Sequence, residues 1–262
     1  IIFLWLGKLS ILALDINDNA TFFAESKYRS EPASFIPSVE SIPCIVLETK
    51  FTSGLGSVIE KKMNRSMRDI MKKCDVVILP ENGTNEGNIR RIGPIVRNTN
   101  FSREELRKKF SFSKKTIVVS IGGTDAGKFL IQPTIDAIRK INEDLELVVV
   151  SGPSLKQEYD KSIRNLGYVK NLHELIFAAD VLVSLAGKST IDEAKAYGTP
   201  GIFIPIKDHF EQEDNAKEEG FSFEDIKKLD SLILQKLSEK RNPVKSQGAK
   251  IAAEVIKKYL DG

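Results

Sequence analysis

VSLAGKSTIDEAKAYGTPGIFIPIKDHFEQEDNA, residues 183–216, is the stretch whose reading decides the fold. It reads as strand, glycine turn, helix, strand, polar loop and helix. Two polar clusters fall where the strands end. One is Gly187, Lys188, Ser189 and Thr190 with Glu193; the other runs from His209 to Asn215. Ligands of open α/β sheets bind beyond the carboxyl ends of the strands, so the two clusters are candidate contacts of one site.

Outward from this stretch the alternation continues. Residues 116–121, TIVVSI, form a continuous apolar run, as expected of a strand buried on both faces. Gly122 and Gly123 turn the chain, and Thr124 or Asp125 can cap a helix running to about residue 141. LELVVV (145–150) is a second strand, residues 164–169 a short third, 180–184 a fourth and 201–205 a fifth. Helices are expected from the Asn171 cap to Ala178, then over 189–197, 211–218, 223–237 and 244–259, with Gly198-Thr199-Pro200 ending the second of these. Strands alternating with helices imply a parallel sheet with right-handed crossovers.

The front of the chain is less regular. It lacks an initiator methionine and opens IIFLWLGKLSILALDI, an apolar run interrupted by Gly7, Lys8 and Ser10. That run is shorter than the roughly 18–20 residues needed to span a bilayer. It reads as a buried strand (1–6) followed by a short helix, with a membrane-contacting end as the alternative. Residues 20–24, 43–47 and 75–79 are candidate strands. A helix is expected over about 57–73, with Val58, Ile59, Met63, Met67, Ile70 and Met71 at helical spacing. Its other face carries Lys61, Lys62, Arg65, Arg68, Lys72 and Lys73, which reads either as a solvated face or as a contact for an anionic membrane surface. Residues 81–100, rich in Gly, Asn, Pro and Arg, read as an interdomain linker. Ser102 followed by Glu104 and Glu105 marks a helix start.

Composition narrows the function. The chain has 262 residues, 41% hydrophobic and 29% charged, which suits a globular protein of one or two domains. Its net charge of +3, from 39 basic and 36 acidic side chains, is too small to argue for nucleic acid. Cys44 and Cys74 have no metal or redox spacing and read as reduced thiols of a cytoplasmic protein. His173 and His209 are the only histidines, which limits histidine-based catalysis.

Three segments could carry chemistry. In IGGTDAG (121–127), Gly122 and Gly123 let the backbone approach a ligand, and the helix start at Thr124 offers N–H groups and partial positive charge to a diphosphate. The pattern is neither a P-loop nor a dinucleotide GxGxxG, and a plain strand-to-helix turn is the competing reading. In AGKSTIDEA (186–194), Gly187 turns the chain and Ser189 and Thr190 add hydroxyls and amides at a second helix start. Lys188 adds a charge there. Glu193, one turn on, can accept two hydrogen bonds from a ribose diol or fold back on its own helix terminus. In IPIKDHFEQEDNA (204–216), Asp208, His209, Glu211, Gln212 and Asn215 offer groups that suit hexose hydroxyls; an ordinary charged loop is the alternative.

With GKST, DEA, YGTPGIFIPI and HFEQEDNA in this order, the chain resembles glycosyltransferase family 28 of the GT-B group, and its archaeal branch in particular, from about residue 75 to 259. The resemblance implies α/β architecture with two Rossmann-like domains of parallel sheet, here with a short or truncated N-terminal one. Residues 1–98 would be the acceptor-side domain with its linker, and 99–262 the donor-binding domain. It implies that Gly122, Gly123 and Thr124 face the donor and that Arg97 is a linker arginine near the nucleotide. Gly187, Ser189 and Thr190 would take the diphosphate, Glu193 the ribose, and Gln212, with Glu211 and Asn215 nearby, the sugar. Lys188 and Ser189 stand where the bacterial branch of the family has small or apolar residues. The family's GxGGH-like front loop has no counterpart here, which leaves three expectations: a truncated start, a reduced acceptor half, or one supplied by a partner chain.

The function expected on these grounds is inverting transfer of a hexose, N-acetylglucosamine foremost, from a UDP-sugar to an acceptor that the family makes lipid-linked. The UDP-sugar is a substrate; no cofactor and no metal site are expected. Asp208 and His209 are the candidates for the base. Peripheral attachment to the cytoplasmic membrane face follows from the acceptor. Two alternatives stand beside it: a donor-binding subunit inactive without a partner chain, and a UDP-sugar epimerase or hydrolase on the same fold.

Overall fold

The computed structural model describes residues 73–123, 125–152, 159–160 and 163–260, together with Asp69, Met71 and the main chain of three short strands before them. Strands β1 (Leu12–Ala13) and β2 (Phe23–Ala24) pair antiparallel. Strands β3 (Ile45–Leu47), β4 (Val76–Leu79) and β5 (Ile89–Arg91) form a small parallel sheet in that order. β1 lies where a short helix was expected. The strand expected over 1–6 and all but Asp69, Met71 and Lys73 of the basic helix over 57–73 lie outside the described residues.

The larger sheet has five parallel strands: β6 (Lys115–Ser120), β7 (Leu145–Val150), β8 (Arg164–Asn165), β9 (Val181–Leu185) and β10 (Gly201–Ile204). Their order across the sheet is β8-β7-β6-β9-β10. The chain therefore winds from β6 to one edge, returns, and winds to the other. The reversal falls between β6 and β9, the place where doubly wound sheets open a crevice.

Alternate side chains of these strands build the core. Ile117, Val119, Ile121, Val149, Val183 and Ile204 point to one face, under α2 (Ile131–Lys140) and α6 (Leu229–Ser238). Val118, Val148, Val150, Leu182 and Phe203 point to the other. There they meet α1 (Arg103–Lys109), α3 (Leu172–Ala178), α4 (Lys188–Tyr197) and α5 (Phe210–Glu218). Both faces are covered, which is why the strands read as unbroken apolar runs.

Local signals set most boundaries. Ser102 and Glu105 close a capping box on α1. Gly198 ends α4 in the left-handed region at φ 66°, where a Cβ would also meet the Pro243 nitrogen at 2.6 Å. Four expectations need correction. The linker over 81–100 contains β5, an edge strand held by Arg91, which donates to Glu81 at 2.9 Å and to the Thr84 carbonyl at 2.6 Å. The turn after β6 does not enter an α-helix at Asp125. It enters a 3-10 turn (Asp125–Leu130), and α2 starts only at Ile131. Gly127 is pressed onto the strand end there: a Cβ would lie 2.6 Å from the Ile121 carbonyl. Asn171 makes no side-chain capping bond on α3. The helix expected over 223–237 is a 3-10 turn (Phe223–Lys228) followed by α6.

The last helix, α7 (Gly248–Leu260), returns to the small sheet, where Ala252 is buried with Val76, Ile78 and Ile92. No helix among the described residues is long and apolar enough to cross a membrane.

Candidate functional site

Register brings the glycine turns level. Ser120 of β6 is paired with Ser184 of β9, so Gly123 and Gly187 each lie three residues beyond a matched pair. Gly122 turns at φ +81°, a conformation that favours glycine. A Cβ on Gly123 or on Gly187 would meet nothing within 4 Å. Packing therefore does not demand glycine at these two positions; what they leave is open space over the reversal between β6 and β9.

Beneath one side of that space α4 begins. Its N-cap is Gly187, which has no side chain to close the helix start. The Thr190 and Ile191 amides return to the Gly187 carbonyl, both at 3.1 Å. Ser189 is exposed, and Lys188 and Thr190 are half-buried. The Lys188 ammonium bonds the Asp192 carboxylate one turn on. Burial pushes the Asp192 carboxyl up, against the pull of Lys188. The charge expected near a phosphate is therefore neutralised within its own helix.

Glu193 is buried, its side chain 5% exposed, and the Arg97 guanidinium grips it with two bonds: Nε to Oε1 at 2.6 Å and Nη2 to Oε2 at 3.0 Å. The pair lies 96 residues apart in sequence. The hydrogen bonding to Glu193, opposed by burial, raises the Arg97 pKa further. Tyr197, one turn after Glu193 on α4, donates to the Arg97 carbonyl at 2.6 Å. Burial, then the negative charge of Glu193, pushes the Tyr197 phenol up to about 12. His173 stands behind, bonded to the main chain of Asn98, with a buried Nδ1 that has no partner. Burial, then the charge of Arg97, lowers its pKa, so the ring is neutral at pH 7. The sequence reading singled out Arg97 and Glu193 but passed over Tyr197 and His173. The spacing of four between Glu193 and Tyr197 was the available signal.

The loop after β10 supplies the second cluster. Asp208 adopts a positive φ of 63°, and its amide donates to Glu213 Oε1 at 2.9 Å. His209 is the N-cap of α5, its Nδ1 accepting the Gln212 amide at 3.4 Å. The Gln212 Oε1 accepts from the Ile206 amide at 3.1 Å, which leaves its NH2 group for other partners. Glu211 and Gln212 are half-buried. Asn215 is only 1% exposed and lies under the turn, its Nδ2 donating to the Ala186 carbonyl at 3.1 Å. The structure thus sets the Gly122–Gly123 turn and the Gly187–Thr190 helix start level at neighbouring strand ends and holds Arg97 on Glu193. Thr124 lies outside the described residues. No group of three or more His, Cys, Asp or Glu among the described residues could hold a metal ion.

The sequence model of the glycosyltransferase family 28 C-terminal domain matches residues 116–257. An uncharacterized glycosyltransferase of Methanopyrus kandleri is 23% identical over 191 residues, 67% of this chain and 54% of that one. The UDP-N-acetylglucosamine--N-acetylmuramyl-(pentapeptide) pyrophosphoryl-undecaprenol N-acetylglucosamine transferase of Carboxydothermus hydrogenoformans is 27% identical over 210 residues, 72% of this chain and 54% of that one. The chain thus spans about half the length of the curated relatives it matches. Among solved structures, MurG of Acinetobacter baumannii superposes with a TM-score of 0.58 at 14% identity, over 83% of this chain and 68% of that one. The fold is that of GT-B proteins, with α/β layers on parallel sheets.

Proposed function

The chain belongs to glycosyltransferase family 28, and from that premise we propose that it moves a hexose, N-acetylglucosamine foremost, from a UDP-sugar to an acceptor hydroxyl on a lipid-linked molecule. The observation that carries this reading is the pair of level glycine turns at the strand-order reversal, both facing open space. A diphosphate seated there meets the start of α4, where main-chain amides and the Ser189 and Thr190 hydroxyls offer donors to negative charge.

In this scheme the acceptor oxygen attacks the anomeric carbon from the face opposite the diphosphate. The bond from that carbon to the phosphate oxygen breaks, and its electron pair leaves on UDP. The α4 terminus stabilises the charge that grows there. No cofactor enters the scheme. Glu193 receives the ribose diol: a carboxylate offers about four acceptor sites, so it can bind the diol while Arg97 keeps its grip or shifts along the carboxylate. Glu211 and the free NH2 of Gln212 face the sugar. Of the two candidates for the base, Asp208 is the freer, because His209 Nδ1 is engaged as the α5 cap.

Calorimetric titration with UDP, GDP and dTDP tests the nucleotide site. UDP is expected to bind most tightly, and Glu193→Ala to weaken it by about 1–3 kcal/mol, the cost of unpairing a buried polar contact. Unchanged affinity would remove Glu193 from the site. In an assay with UDP-N-acetylglucosamine and a polyprenyl-linked acceptor, transfer that starts only on addition of a second chain would favour a donor-binding subunit. Free sugar or an epimer without acceptor would favour a hydrolase or epimerase.

A further inference from the structure

Helix α5 carries the residues assigned to the sugar, yet it is weakly moored. Of its side chains only Asn215 and Ala216 are buried, and Ala216 offers little apolar area. Beyond its far end Phe221 packs edge-on against Phe203, and Lys195 pairs with Glu219. The near half, with Glu211 and Gln212, is joined to its own loop by bonds from the Asp208 amide to Glu213 and from the Gln212 amide to His209, and two further bonds bear on its position. One is Gln212 to the Ile206 amide, within the same loop. The other is Asn215 Nδ2 to the carbonyl of Ala186, at 3.1 Å. Ala186 immediately precedes Gly187 and follows β9, whose five residues are all buried.

Asn215 also has a feature that packing alone does not explain. Its Oδ1 is buried and has no hydrogen-bond partner, a state that costs on the order of 1–3 kcal/mol. An apolar residue of the same volume would avoid that cost. The carboxamide orientation is fixed by its one partner: turned over, it would set oxygen against oxygen at Ala186.

We propose that Asn215 is a positioning residue: it does not read the sugar itself but holds α5 at a set distance from the Ala186–Gly187 turn, so that Glu211 and Gln212 meet the hexose of a donor whose diphosphate lies at that turn. This rests on the donor site proposed above. The turn continues a strand buried on both faces, so when the bond is lost α5 shifts and the turn stays. Sugar recognition is therefore lost in preference to nucleotide recognition.

The test uses the full chain with Asn215→Leu, which keeps the branch at Cγ and removes both the donor and the orphaned acceptor, and Asn215→Ser, whose hydroxyl is too short to reach the Ala186 carbonyl. Binding is measured by calorimetry for UDP and for whichever of UDP-N-acetylglucosamine, UDP-glucose and UDP-galactose the wild type binds most tightly; unfolding midpoints are recorded alongside. Both variants are expected to weaken the UDP-sugar by about tenfold, roughly the worth of one or two hydrogen bonds, and UDP by less than about twofold. A merely structural role predicts that both ligands weaken by one factor, or that neither does; either outcome in a folded variant overturns the proposal. A wild-type chain that binds neither UDP nor any UDP-sugar defeats the donor site itself, a result distinct from variants that keep the wild-type preference.

Discussion

The two ends of the five-stranded sheet are both polar, and they use their polarity in opposite ways. At the amino end of β9, Asp180 accepts from Arg103 at 2.6 Å, from Arg107 at 2.8 Å and from the Thr116 amide at 2.8 Å. Beside it Arg241 donates to the carbonyls of Phe177, Ala179 and Tyr197 and to the Thr199 hydroxyl, at 2.7–3.1 Å. These are the carbonyls at the C-terminal ends of α3 and α4, where positive charge is favoured. Burial lowers the Arg241 pKa to about 10, and among the network's fully buried side-chain atoms the Arg103 Nε is the one without a partner. At the carboxyl end, Gly123 and Gly187 face open space and a glycine begins α4. A cluster that closes on itself stabilises the chain; a cluster that leaves donors facing space is built for something else.

The comparison breaks most visibly at Asp180. Replacing it by alanine strands partly buried guanidiniums and an amide, and is expected to cost about 2–3 kcal/mol, less than a fully buried pair because a quarter of the side chain is exposed. Denaturant unfolding would show the loss, while UDP affinity per folded molecule stays the same. Burial raises the Asp180 carboxyl, but the Thr116 amide and the guanidiniums of Arg107 and Arg103 outweigh it and hold the group below 3.8. A depressed carboxyl stabilises the fold above its unfolded pKa, and that contribution fades as pH falls through the folded one. The acid limb of stability, below about pH 4, is therefore expected to be shallower in Asp180→Ala than in the wild type.

What the sequence disclosed follows the same division. The buried strands were legible because both faces of the sheet are covered, so 116–121 and 145–150 read as unbroken apolar runs. The glycine turns were legible as strand ends. Sequence did not disclose that the β6 turn leads into a 3-10 segment, because that depends on how closely Gly127 must approach Ile121. β5 was lost inside a linker composition, being a three-residue edge strand held by side chains of its own loop. The partnership of Arg97 with Glu193 joins residues 96 positions apart, and no local periodicity reports such a distance. Asn215 was read among the groups facing the sugar; its burial depends on how α5 lies against the β9 turn.

The two kinds of glycine sharpen the contrast. Gly198→Ala places a Cβ in the left-handed region and against Pro243, and is expected to lower stability by about 1–3 kcal/mol with nucleotide affinity unchanged. Gly187→Val does the reverse. Its φ of −76° and ψ of 131° suit any residue, and a Cβ there meets nothing. Stability is expected to move by less than about 1 kcal/mol, while UDP affinity falls about tenfold because the methyls occupy the space over the α4 amides. Paired titrations and melting curves decide the matter. A Gly187→Val variant that binds UDP as well as the wild type would place the nucleotide away from this turn.

Within the α4 turn the smallest expected effect on binding concerns Lys188, the residue whose charge most invites a phosphate. Its ammonium is paired with Asp192 on the next turn, and Asp192 is buried. Pulling the lysine away would leave that carboxylate uncompensated, so the pair is expected to survive nucleotide binding, with Lys188→Met changing UDP affinity by less than about threefold. A loss above tenfold that shrinks with added salt would show instead that the ammonium swings onto the diphosphate. The stability of the variant gives an independent reading. Burial already raises the Asp192 carboxyl, and without Lys188 it rises further. A carboxyl with a raised folded pKa destabilises the fold once pH exceeds its unfolded value, and the penalty is relieved on protonation. Lys188→Met is therefore expected to be less stable than the wild type at pH 7 and to close that gap as pH falls toward about 4. If the gap is instead constant with pH, Asp192 does not depend on Lys188 for its charge, and the lysine is free to serve the ligand.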